Sequence, residues 1–160
     1  MDKIYMEQTV RFPVTSSKGN KYILVAYNYD SNTIHAEPLK TRSGLDLITA
    51  YQKLHSLLTN RGLIPHLHIL DKECPNVLKI FMREVNEKFK LVPPHIHQRN
   101  SAERSIWNFK ENFKAGLSSN HTDLPLHLWC RLTPHAILTL NLLWQSFMNP
   151  TLSGYAQLHG

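Results

Sequence analysis

Tyr22-Ile23-Leu24-Val25-Ala26-Tyr27-Asn28-Tyr29-Asp30-Ser31-Asn32-Thr33-Ile34-His35-Ala36-Glu37 is the stretch that decides the fold. Its opening run is β-branched, aromatic and aliphatic, Asp30-Ser31-Asn32 is turn chemistry, and residues 33–37 resume strand composition. The stretch therefore reads as a β-hairpin. Upstream, residues 5–14 read as another strand, entering a turn at Ser16-Ser17-Lys18-Gly19-Asn20. Three sequential antiparallel strands are the economical arrangement.

Downstream the period changes. Leu47, Ile48, Tyr51, Leu54, Leu57 and Leu58 recur at spacings of three and four, with Ser43 and Asp46 set as a capping box and Gly62 as the stop, which predicts an amphipathic helix over 43–61. Residues 65–70 alternate like a buried strand, Pro75 opens a helix carrying Val77, Leu78, Phe81, Met82 and Val85, and residues 89–92 read as a short fifth strand. Asn100 and Glu103 form a second cap-like pair before a helix whose buried stripe is Ile106, Phe109, Phe113 and Leu117, ending near Ser118. The last helical stretch, 126–144, contains Pro134. Proline costs about 3 kcal/mol inside a helix, so a kink or restart is predicted there. The order βββαβαβαα predicts an α/β fold, a five-stranded mixed sheet with helices on both faces.

The chain has 160 residues, 42% of them hydrophobic, and is expected to form a single domain over 1–160. No run approaches the roughly 20 apolar residues of a membrane span, and the N-terminus lacks a signal-peptide pattern. A soluble intracellular protein, nuclear or cytoplasmic, is the expectation. Cys74 and Cys130 are far apart without a CxxC motif, which suits a reducing compartment. The formal charge of +6 favours polyanionic partners. His66/His68 and His95/His97 have the alternating spacing that shares one strand face, which raises a zinc reading. Neither cysteine supplies the usual second ligand pair.

Three acids carry the candidate chemistry: Glu7 on the first predicted strand, Asp71 at the end of the fourth, and Glu103 at the start of a helix. Asp71 and Glu103 lie 32 positions apart, so only the fold can join them. If the first strand neighbours the fourth, Glu7 and Asp71 come side by side and the later helix can lay Glu103 across them. Such a cluster suits two Mg²⁺ or Mn²⁺ ions, about 3.5–4 Å apart, in an in-line phosphoryl displacement. Each acid also has a structural reading: Glu103 completing the cap with Asn100, Asp71 starting a turn or capping the next helix, Glu7 facing solvent. Trp107, Lys110 and Lys114 follow Glu103 at four, seven and eleven positions, one helical face, and form a basic stripe able to follow a phosphate backbone. Arg99 and Arg104 flank the same turn, and Lys72 adds a cation beside Asp71.

Five segments, Glu7-Gln8-Thr9-Val10-Arg11-Phe12-Pro13, Gly19-Asn20-Lys21-Tyr22-Ile23-Leu24-Val25, Leu70-Asp71-Lys72-Glu73, Arg99-Asn100-Ser101-Ala102-Glu103-Arg104-Ser105-Ile106 and Thr139-Leu140-Asn141-Leu142-Leu143, occur in an order and spacing that together resemble the catalytic core of copia-class retrotransposon integrases. These belong to the RNase H-like retroviral integrase superfamily. The resemblance covers nearly the whole chain. It implies an RNase H-like fold, Asp71 and Glu103 as second and third members of an Asp, Asp, Glu metal triad, and Lys110 as a DNA-contacting lysine. It further implies processing of element DNA ends and joining of their 3′-hydroxyls to target DNA. DNA and a second copy of the chain are the expected partners, with no small-molecule substrate and no membrane. The chain departs from the family pattern at Glu7, where the family has Asp, at Val10 for Gly and at Lys72 for Asn. Trp144 and Phe147 stand in place of arginines, and Cys130 in place of Asp. A glutamate moves the carboxylate out by about one bond, and a misplacement of about 1 Å can cost about 100-fold in rate. The alternative expectation is a catalytically dead remnant that binds nucleic acid or a partner subunit.

Overall fold

A computed structural model describes residues 3–9, 11–71, 74–92, 99–119 and 123–160, with the backbone alone for Asp71, Val92 and 99–101. Val10, Lys72, His95 and His97 lie outside the described residues. The predicted hairpin is formed by β2 (Tyr22–Asn28) and β3 (Thr33–Leu39). Its turn closes as an Asx motif, Asn28 Oδ1 accepting from Ser31 N at 3.0 Å, with Asn32 at φ 51°. β1 (Lys3–Gln8) is shorter than predicted and pairs antiparallel with β2. β4 (Leu67–Asp71) and β5 (Phe89–Val92) complete the sheet, in the order β3-β2-β1-β4-β5. β1 runs parallel to β4, and β4 to β5.

Strand alternation divides the interior between the two faces of the sheet. Ile4, Met6, Leu24, Ala26 and Leu70 pack with Leu47, Tyr51, Leu54 and Leu58 of α1 (Gly44–Asn60) and Leu78 and Met82 of α2 (Asn76–Glu84). Tyr5, Ile23, Val25, Tyr27 and Ile34 pack on the opposite face against Ile106, Phe109 and Phe113 of α3 (Arg99–Ser119) and Trp129, Ala136 and Leu140 of α4 (Trp129–Leu143). A short α5 (Gly154–His159), absent from the predicted elements, follows. A Cβ at Gly154 would lie 2.9 Å from Thr33 Cγ2 and 3.0 Å from Asn32 O, so glycine is what lets this segment close on the hairpin turn. Among the described residues, no helix is long and apolar enough to cross a membrane.

The helix ends show where local sequence rules hold and where they bend. Ser43 caps α1, its Oγ accepting from Asp46 N at 3.4 Å, but the Asp46 carboxylate reaches past Ser43 to Thr41 N at 2.8 Å and Thr41 Oγ1 at 2.6 Å. Gly62, at φ 72°, ends the helix as predicted, with Leu63 N donating to Leu58 O at 2.9 Å. Arg99 is already helical, so Asn100 lies inside α3 rather than at its cap, and Glu103 is not its third residue. Pro134 starts no new helix: α4 is one element across it, and the change of geometry comes earlier, where a 3-10 turn at Leu126–Leu128 meets Trp129. Pro134 itself is exposed, while Trp129, Cys130, Thr133 and Ala136 around it anchor the segment in the core.

Two polar arrangements are built into this frame. Asn141 of α4 clasps the edge strand: Oδ1 accepts from Ile34 N at 2.8 Å and Nδ2 donates to Ile34 O at 2.9 Å. The unpaired side of β3 is thereby satisfied by a side chain, and Pro38 on the same strand further blunts the edge. His68 is fully buried, its Nε2 3.1 Å from Tyr51 Oη and 3.0 Å from Glu87 Oε2, while His55 Nε2 lies 2.8 Å from Glu87 Oε1. His66 precedes β4 and is exposed, so it shares no strand face with His68. Among the described residues no group of three His, Cys, Asp or Glu is placed to hold a metal.

Burial lowers the pKa of His68, against the opposing pull of Glu87, and burial together with the charge of His159 lowers that of His35 to about 4. A folded-state value below the ordinary 6.5 means that the unfolded chain binds the extra proton first, so stability is lost as pH falls through that window. Unfolding free energy is expected to drop between about pH 6.5 and 4, with His35 contributing at most about 3 kcal/mol, and His35→Gln should flatten the slope in urea titrations across pH. Asn141→Leu should cost roughly 2–5 kcal/mol in the same assay at neutral pH, because Ile34 N–H and C=O would be left buried without partners.

Candidate functional site

β1 occupies the middle of the sheet, and its parallel register with β4 places the acids. Tyr5 pairs with Ile69 and Met6 with Leu70. One further step along that register sets the backbone of Glu7 level with Asp71, the last residue of β4, which pairs in turn with Val92. Both acids thus stand at the C-terminal ends of adjacent parallel strands, the edge where α/β sheets place functional groups on rigid backbone.

The third acid arrives on α3. Ala102, Ile106, Phe109 and Phe113 are buried and hold this helix against β1 and β2. Glu103 is exposed near its start. Lys110 lies seven residues on, close to two turns, so it returns to the same side of the helix roughly 10 Å along the axis. Its Nζ donates to Glu7 Oε1 at 2.5 Å, with 26% of the Lys110 side chain and 36% of the Glu7 side chain exposed. The predicted basic stripe is therefore partly engaged inside the molecule. Lys114 pairs with Glu111 at 2.8 Å, Arg104 is exposed, and Trp107 is 59% exposed.

Two clefts flank the Glu7–Lys110 pair. One, of about 370 Å³, is lined by Glu7, Gln8, Arg42, Cys74 and Pro75. The other, of about 450 Å³, is lined by Arg11, Phe12, Phe109, Lys110, Phe113 and Lys114. Arg42 is held in place by donating from Nη2 to Thr9 O at 2.7 Å and by its guanidinium lying 5.1 Å from the centre of the Tyr22 ring. Phe12 stacks on Trp129 at 4.3 Å, and Trp129 Nε1 donates to Val14 O at 2.8 Å, which fixes the loop that carries Arg11. Arg11, Phe12 and Arg42 had no part in the sequence-based site. Each acts through contacts more than twenty residues away, for which local spacing carries no signal.

Of the residues expected in the site, Glu7 and Lys110 are brought into direct contact, and Asp71 is aligned with Glu7 through the backbone. Glu103 shares the Lys110 side of α3, and Lys114 and Arg104 lie along the same helix. Lys72 falls outside the described residues, as do the side chains of Asp71 and Arg99.

No known family profile matches this sequence, and no curated protein matches it. Solved structures do. The HTLV-2 integrase catalytic core domain, in a trimeric form with magnesium, aligns with a TM-score of 0.69 at 19% identity over 99% of this chain and 95% of that one. Its dimeric form, also with magnesium, gives 0.67 at 17% identity over 99% and 95%. The BIV integrase catalytic core domain gives 0.66 at 14% identity over 96% and 90%. The fold is that of integrase catalytic cores, an RNase H-like mixed sheet of five strands flanked by helices.

Proposed function

We propose that this chain is the core of a copia-class retroelement integrase that acts on DNA by metal-dependent phosphoryl transfer, in 3′-end processing and strand transfer. The observation that carries the reading is the β1–β4 register, which aligns Glu7 with Asp71 while α3 brings Glu103 toward the same edge. Asp71, Glu103 and Glu7 would hold Mg²⁺ or Mn²⁺. The donor set suits the ion, since carboxylates are the oxygen ligands that hard cations prefer and half-exposed Glu7 lines an open cleft. When bound, such ions stabilise the attacking and leaving oxygens of an in-line displacement.

The chain's own residues orient the substrate. Lys110 and Lys114 at one cleft, with Arg104 and Arg99 on the same helix and Lys72 after Asp71, present cations to DNA phosphates, contacts that fix register rather than sequence. A homo-oligomer is part of the proposal. Leu138, Leu142 and Leu143 of α4 and Phe147 beyond it are large, apolar and exposed, as at surfaces that receive a partner. The HTLV-2 core is described in dimeric and trimeric forms.

One observation favours a second reading, binding of nucleic acid or a partner subunit without catalysis: the Glu7 carboxylate already accepts from Lys110. Incubation with branched DNA and Mn²⁺ separates the two. The catalytic reading predicts strand joining that falls to background in Asp71→Asn and rises by up to about 100-fold in Glu7→Asp, as the carboxylate returns to the shorter reach. DNA binding with no joining in either the parent protein or Glu7→Asp would establish the second reading.

A further inference from the structure

The Glu7–Lys110 pair forms the partition between the two clefts, Glu7 lining one and Lys110 the other. The geometry points to Lys110 as a built-in gate: its ammonium occupies the Glu7 carboxylate until a DNA phosphate in the Arg11–Lys114 cleft draws it away, so that DNA binding and divalent-metal binding favour each other. The inference rests on the metal-dependent DNA reading of this site and specifies how the site is regulated.

The argument is electrostatic. A carboxylate whose Oε1 stands 2.5 Å from Lys110 Nζ carries its neutralising charge already. A divalent ion about 2.0–2.1 Å from the same group would meet that ammonium at close range, and like charges repel strongly where solvent is partly excluded. Metal can settle at Glu7 only as Lys110 leaves. Lys110 can leave, since a quarter of its side chain is exposed and its flexible stem already borders the second cleft. There Arg11 and Lys114 supply the positive field that gathers a phosphate, which can accept from Lys110 in place of Glu7. The glutamate is integral to this device. Its extra methylene, against the shorter aspartate of the family pattern, extends the carboxylate from the strand toward α3. By linkage, whatever factor DNA adds to metal affinity, metal adds to DNA affinity.

Mn²⁺ titrations followed by calorimetry and by the electron paramagnetic resonance of free Mn²⁺, with and without a short DNA duplex, test this in the parent protein and in Lys110→Met, Lys110→Arg, Glu7→Gln and Asp71→Asn. The duplex alone is titrated as a blank, and thermal melting confirms that each variant is folded. The gate predicts weak Mn²⁺ binding in the parent protein, tightened roughly 5- to 150-fold by the duplex, the usual range for coupled sites. Lys110→Met should bind Mn²⁺ tightly without DNA and gain nothing further from it. Lys110→Arg, which keeps the cation, should behave like the parent. Equal Mn²⁺ affinity in the parent and Lys110→Met, with Asp71→Asn abolishing it in both, would overturn the gate and leave the metal site standing. No binding in any folded variant, with DNA or without, would overturn the metal reading and the gate with it.

Discussion

The parallel pairing of β1 with β4 is the constraint on which the rest of the structure depends. A strand bonded on both sides cannot shift by one residue without sending every side chain to the opposite face. That register therefore fixes Met6 and Leu70 in one core, Tyr5 in the other, and the level at which Glu7 meets Asp71. The crossovers follow from it: α1 leads from β3 back to β4, and α2 from β4 to β5. α3 is then laid over the face made by Tyr5, Ile23 and Val25, which carries Glu103 and Lys110 to the end of the sheet where the acids stand.

Local rules made much of this frame legible. The β2–β3 hairpin follows from β-branched and aromatic runs around an Asx turn, α1 from its apolar period, Ser43 and Gly62, and the buried face of α3 from Ile106, Phe109 and Phe113. The acids could be named because their chemistry is specific, though nothing local joined them. Illegible features are those made by distant partners. Asn141 meets Ile34 across 107 positions and Lys110 meets Glu7 across 103, and neither separation leaves a periodic trace. Pro134 misled because propensity is a weak prior: one missing backbone bond in a helix anchored by Trp129, Thr133, Ala136 and Leu140 is outweighed by packing. The Asn100 cap failed similarly, since the helix already includes Arg99.

Glu7 joins the fold to the chemistry. A partly exposed ion pair contributes little to stability, on the order of 0–1 kcal/mol, because water screens it and two long side chains are restrained to make it. Its importance is positional, since it occupies the carboxylate that the site needs and lies between a cleft suited to metal ligands and a cleft edged with cations. A single methylene, glutamate for aspartate, thus has two consequences. It displaces a ligand from the reach of the shorter residue, and it brings that ligand within reach of Lys110. The lysine expected to touch DNA is then also the group that a phosphate must detach from Glu7.

The most direct test of this account is the anomalous diffraction of Mn²⁺ in crystals of the protein grown with a short branched DNA. The account predicts an anomalous peak held by the carboxylates of Glu7, Asp71 and Glu103, with Lys110 turned from Glu7 to a DNA phosphate. Bound DNA at saturating Mn²⁺ with no peak among the three acids, and Lys110 still donating to Glu7, would contradict it.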